Sequence, residues 1–159
     1  MPLISLNVLV GPNGSGKSNL LEAISLLRSC VNSPASTARE GNDLRSVIAR
    51  GGGIGEWVWK GAPHGNLTLE AIFANPDDPL MPIRHVLTFR AEQQTFRIQD
   101  ERIENVTPYK GQRDPLSYYQ YQWGSPVVLT RETKKTLLRN LRPENVRTDL
   151  SILAQLRDP

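Results

Sequence analysis

Eight consecutive residues carry the strongest chemical signal in this chain: Gly11-Pro12-Asn13-Gly14-Ser15-Gly16-Lys17-Ser18. They fit the pattern G-x-x-x-x-G-K-[ST] at every fixed position. Each fixed type has a physical task. Glycines let the backbone close around an anion with its N–H groups turned inward. A helix beginning where the loop ends adds its N-terminal N–H groups and the positive end of its dipole. Lys17 supplies a point charge for β- and γ-phosphates, and the Ser18 hydroxyl is an oxygen ligand of the kind Mg²⁺ prefers. With Gly11, Asn13, Gly14, Ser15, Gly16 and Asn19, these are the residues expected to hold Mg²⁺ and ATP. A glycine turn that matches by chance is the competing reading, and the flanking elements weigh against it.

Those elements must position the loop. Residues 3–10 are apolar and partly β-branched, which predicts a buried strand. Asn19 to Cys30 has helical spacing, with Leu20, Ile24 and Leu27 on one face and Leu21 and Ala23 beside it. Residues 1–30 therefore read as strand, glycine loop and helix. Residues 31–42 read as a loop. Asp43–Arg50 fits a short helix with Asn42 or Asp43 at its N-cap and Gly51 at its end.

Further along, the period changes. Glu56–Lys60, with Trp57 and Trp59 on one side, predicts a short strand. Leu67, Leu69, Ala71 and Phe73 alternate with polar residues, and so do Leu87 and Phe89 within Ile83–Arg90. Gln94–Gln99 places Phe96 and Ile98 on one face, and Asn75–Pro82 is a turn. Residues 56–104 read as an antiparallel meander. Residues 126–157 read as the helical end of the domain, after a short strand at Pro126–Thr130. There Arg131–Leu141 is a basic helix with Leu137, Leu138 and Leu141 inward, ended by Pro143. Thr148–Leu156 starts another helix, capped by Thr148 or Asp149.

Other groups carry less. Gly51–Gly55 lacks a following Lys-Ser and reads as a flexible hairpin or linker rather than a second phosphate loop. Asp77 and Asp78 lie between prolines, a solvated loop before a metal site. Tyr118–Trp123 could stack on bases, but core packing or an interface is the better reading. The basic residues Lys134, Lys135, Arg139 and Arg142 fit a solvated face better than a phosphate-backbone contact. His64 and His85 stand alone, and Cys30 is the one cysteine, so neither zinc spacing nor an intrachain disulfide arises. A net charge of +3 is too mild to argue nucleic-acid binding. No signal-peptide pattern and no bilayer-length apolar run occur, so a soluble cytoplasmic protein without membrane contact is expected. At 159 residues, the chain has room for one domain with a core.

The string GPNGSGKSNLLEAI at Gly11–Ile24 resembles the ATPases of the RecF and SMC branch of the ABC superfamily, among them bacterial ATPases often filed as AAA-type. Similarity extends more weakly to Leu44–Gly52 with Trp57, to the meander, and to Ser151–Asp158. The resemblance implies an α/β fold: the first lobe of an ABC-type P-loop NTPase, carrying the antiparallel meander. It implies a second lobe with a signature motif and a strand ending in Asp-Glu, a head-to-tail dimer or second lobe as partner, and DNA or a nuclease as a further partner. This sequence has no such Asp-Glu strand and no LSGG-like signature. It reads as a first lobe whose second lobe is absent, a fragment or truncated form. Gln155 lies where the family's metal-contacting glutamine would fall, although an ordinary polar helix residue is the better reading. A small P-loop kinase and a non-catalytic interaction module are the alternatives.

Overall fold

The computed structural model describes residues 7–33, 41–58, 65–93, 95–122, 124–132 and 135–156, with backbone alone for 129–139. Helices α1 (Lys17–Ser29), α2 (Leu44–Arg50) and α3 (Ile54–Trp57) come first. Six strands follow: β1 (Asn66–Phe73), β2 (Ile83–Glu92), β3 (Thr95–Asn105), β4 (Ser117–Gln122), β5 (Ser125–Glu132) and β6 (Lys135–Asn140). A 3-10 turn at Pro143–Asn145 and helix α4 (Ile152–Gln155) close the described chain. Each strand pairs antiparallel with the next, in the order β1-β2-β3-β4-β5-β6.

Period-two alternation divides the sheet into two faces. On one face, Leu87 and Phe89 of β2 and Phe96 and Ile98 of β3 meet Leu26 of α1 and Cys30 just after it, Leu44 and Ile48 of α2, and Ile54 of α3. Phe89 and Phe96 pack edge to face, ring centroids 5.6 Å apart. Each such side chain contributes about 1.5–3 kcal/mol by leaving water. The other face is polar. Thr68 and Thr88 share a hydroxyl bond of 3.1 Å, and Arg84 pairs with Glu104.

Helix α2 has the ends its sequence predicts. Asp43 Oδ1 accepts from the N–H of Arg45 (3.1 Å) and of Ser46 (3.2 Å), and Oδ2 accepts from Ser46 Oγ (2.6 Å). Burial pushes the Asp43 carboxyl up, but the bonds from Ser46 and the backbone outweigh it and hold it below the usual carboxylate range. A lowered folded value stabilises the fold above the unfolded value of about 3.9 and is lost as pH falls through the folded value. Asp43→Ala is expected to cost about 1–2 kcal/mol at neutral pH. In urea titrations that difference should shrink in acid; a gap that stays constant down to strongly acidic pH would refute the charge-assisted cap.

Gly51 ends α2, and the chain turns through Gly52 and Gly53, both at positive φ, into α3. The expected strand at Glu56–Lys60 is corrected: Ile54–Trp57 is helical, while Trp59, Lys60 and His64 lie outside the described residues. The reason is the glycine turn, which brings Trp57 back over α2, where its Nε1 donates to Ile48 O at 3.4 Å. A Cβ on Gly51 would fall into the Trp57 indole. Gly51→Ala should therefore lower stability by about 1–3 kcal/mol through overpacking. Thermal melting reads this as a drop of roughly 2–4 °C per kcal/mol; an unchanged melting temperature would show that the indole moves aside freely.

Five more expectations are corrected. Residues 7–10, the described half of the expected strand at 3–10, form no strand, and Val8 and Val10 are exposed. A strand needs a ladder partner, and none runs beside it among the described residues. Helix α1 buries Leu26, Ser29 and Cys30, not the Leu20, Ile24 and Leu27 face, because only its last turn reaches the sheet; Leu21 and Ile24 are exposed. The meander is longer than 56–104 and runs from Asn66 to Asn140. The expected helix Arg131–Leu141 is strand β6, so 126–157 is not a helical end: β6 pairs with β5 in the register Val127↔Asn140 to Glu132↔Lys135. Finally, α4 begins at Ile152 with Ser151 as its cap, its Oγ accepting from Leu153 N at 3.2 Å. Thr148 and Asp149 are engaged elsewhere: Thr148 O accepts from Ile98 N at 2.7 Å, and Asp149 pairs with Arg147 and Arg45.

Candidate phosphate-binding site

The loop is built by its glycines. Gly14 and Gly16 adopt φ of 81° and 82°, the left-handed region that side chains other than glycine rarely enter. Between them, Ser15 N donates to Pro12 O at 3.3 Å and closes the turn. Gly16 caps α1 without a side chain, and the thirteen-residue helix starts at Lys17 with no acidic residue in its first turn. The N–H groups of a first helical turn have no intrahelical acceptor, and this first turn carries no carboxylate of its own to compete for them. Lys17 folds back over the loop, its Nζ donating to Gly11 O (2.8 Å), Pro12 O (2.7 Å) and Ser15 Oγ (3.2 Å). The ammonium is thus held by oxygens of the loop that opens into α1. Gly11, Asn13, Gly14, Ser15, Gly16, Ser18 and Asn19 are all exposed, open to a ligand.

Gln155 stands apart from this constellation. Its Nε2 donates to Arg147 O (2.9 Å) and Leu150 O (2.8 Å), and its Oε1 accepts from Arg147 N (2.8 Å). The amide is engaged in closing its own loop, the ordinary structural role that the sequence left open. Among the described residues no group of three or more His, Cys, Asp or Glu could hold a metal, and Asp78 caps its own turn at Leu80 N. Trp123 lies outside the described residues, and Tyr119 of the aromatic segment is in the core. Burial, with the Glu101 charge second, pushes the Tyr119 phenol up. The same two causes push the Cys30 thiol up to about 12, so this cysteine is an inert core residue.

Sequence reasoning missed one polar cluster under α1. Glu101 of β3 is buried and accepts from Ser151 Oγ (2.5 Å) and Ile152 N (2.9 Å), and its Oε1 lies 3.0 Å from His85 Nε2. His85, expected to stand alone, is its buried partner on β2. The signal is a β-bulge. Phe89 pairs with Ile98 but Thr88 pairs with Asp100, so Gln99 is extra and the facing alternation shifts by one. Glu101 then takes the core face that a regular strand would give to Asp100 and Arg102.

Loop, lysine and helix together define a nucleotide-binding P-loop domain of ATPase-like type. Residues 6–129 match the family model described as AAA domain, putative AbiEii toxin, Type IV TA system, and the chain belongs to that family. No curated protein and no solved structure matches the chain. No helix among the described residues is long and apolar enough to cross a membrane.

Proposed function

We propose that this chain binds Mg-ATP at Gly11–Ser18 as the phosphate-holding lobe of an ABC/RecF-like ATPase. One observation carries the reading: Lys17 is bonded across the mouth of a glycine loop that opens directly into α1. The β- and γ-phosphates lie against the loop N–H groups and Lys17. Ser18, exposed in the first turn of α1, has the hydroxyl oxygen that Mg²⁺ takes, and the cation would neutralise the same phosphates. Cleavage needs groups that orient water and offset charge in the transition state. In this reading they belong to a second lobe that meets this one head to tail. The service is DNA repair, chromosome maintenance or phage defence, with DNA or a nuclease as partner, in the cytoplasm.

The all-antiparallel sheet weighs against a small P-loop kinase, which would alternate parallel strands with crossover helices. A non-catalytic module that pairs with an intact ATPase is the second reading, favoured by the exposed apolar residues Val8, Val10 and Leu21 beside the loop. The test is titration of a fluorescent ATP analogue with and without Mg²⁺, alongside a phosphate-release assay. Magnesium-dependent binding with little or no turnover is expected of the 159-residue chain. Absence of binding sinks the site, and brisk hydrolysis sinks the need for a second lobe.

A further inference from the structure

An ammonium has three donors, and in this loop each has an acceptor. Two donors go to backbone carbonyls, Gly11 O and Pro12 O. Both carbonyls belong to the loop itself. The third goes to Ser15 Oγ at 3.2 Å. That acceptor is of a different kind: a neutral hydroxyl on a single rotatable bond, exposed to solvent, in the loop an incoming phosphate must enter.

We propose that Ser15 is a positioning residue whose hydroxyl holds the third donor of Lys17 before a phosphate binds and yields it to a phosphate oxygen on binding. The inference rests on the phosphate reading above. The backbone around Ser15 is arranged for this contact. Gly14 and Gly16, both at positive φ, flank it, and its own N–H is tied to Pro12 O, the same carbonyl that accepts from Lys17. Gly11 leaves the space: a Cβ there would stand 3.0 Å from Ser15 Oγ and press the hydroxyl off the lysine. Binding is then an exchange in which a charge-assisted bond to a neutral oxygen is replaced by one to an anionic oxygen. The second is the stronger, so the exchange runs toward phosphate, but the first must be broken.

Removing the hydroxyl removes the competitor. The freed donor lies in an exposed loop and is hydrated at little cost. Ser15→Ala is therefore expected to bind Mg-ATP about threefold to tenfold more tightly than wild type, the worth of one net hydrogen bond. Isothermal titration with Mg-ATP and with pyrophosphate should show the gain for both, because each reaches Lys17, while adenosine should show none. Ser15→Thr, which restores a hydroxyl, should return the affinity toward wild type. Equal or weaker binding by Ser15→Ala, with wild type binding normally, overturns the inference; weaker binding would make Ser15 a phosphate ligand instead. If wild type binds neither Mg-ATP nor pyrophosphate, the phosphate reading itself falls and takes this inference with it.

Discussion

Lys17→Ala is expected to remove nucleotide binding while leaving the fold nearly as stable as wild type. The ammonium is the only side-chain charge in the loop Gly11–Ser18, and its bonds all lie within that loop. Charge-assisted bonds to phosphate are roughly twice as strong as neutral ones, and losing them costs on the order of 3 kcal/mol or a hundredfold in affinity. The stability cost is small, because Gly11 and Pro12 are exposed and water can replace the lysine at their carbonyls. A fluorescent ATP analogue should therefore titrate wild type and fail on the mutant at the same concentrations. Urea unfolding should agree between the two within about 0.5 kcal/mol, as for other surface substitutions. Undiminished binding by Lys17→Ala would remove the site from Gly11–Ser18 altogether.

The opposite split is expected for Glu101→Ala, which should damage the fold. The carboxylate is buried and serves three partners: His85 Nε2, Ser151 Oγ and Ile152 N. Truncation leaves those groups without their acceptor in the core, and opens a cavity beside them. Breaking a buried polar pair costs about 3–5 kcal/mol. For a domain of ordinary stability, about 5–15 kcal/mol, that is about a fifth of the total or more. The melting temperature should fall by roughly 10 °C or more. The 147–156 segment should loosen first, since Ser151 and Ile152 tie it to β3; faster amide exchange at Ile152 and Leu153 would show this. Unfolding curves of Glu101→Ala that overlay wild type would mean that water satisfies the three partners and the cluster holds nothing together.

These two residues mark how much was legible in advance. Lys17 stands out in the sequence because the pattern around it is local: the glycines, the lysine and the helix start are contiguous in the chain, and anion binding would require those types in that order. The cap at Asp43 and the alternation of β1 and β2 were legible for the same reason. Glu101 could not be found. Its burial depends on the extra residue Gln99, which reverses the facing of everything after it in β3, and nothing in the local composition marks a bulge there. Arg131–Leu141 was misread because its leucines fit a helical face as well as a strand. Pairing of β6 with β5, a non-local event, decided between them. The same holds for α1, whose apolar spacing is real although only its last turn has a sheet to cover.

The sequence by itself determined the glycine loop with its lysine and serine, the helix that follows, and the meander in outline. All of these rest on neighbours within a few positions, where steric and hydrogen-bonding rules act without help. Only the tertiary structure decided which face of α1 is buried, that the sheet runs on to Asn140, and that Glu101, His85 and Ser151 share one buried cluster. Those outcomes depend on which distant backbone groups find each other, and on one inserted residue that shifts the pleat.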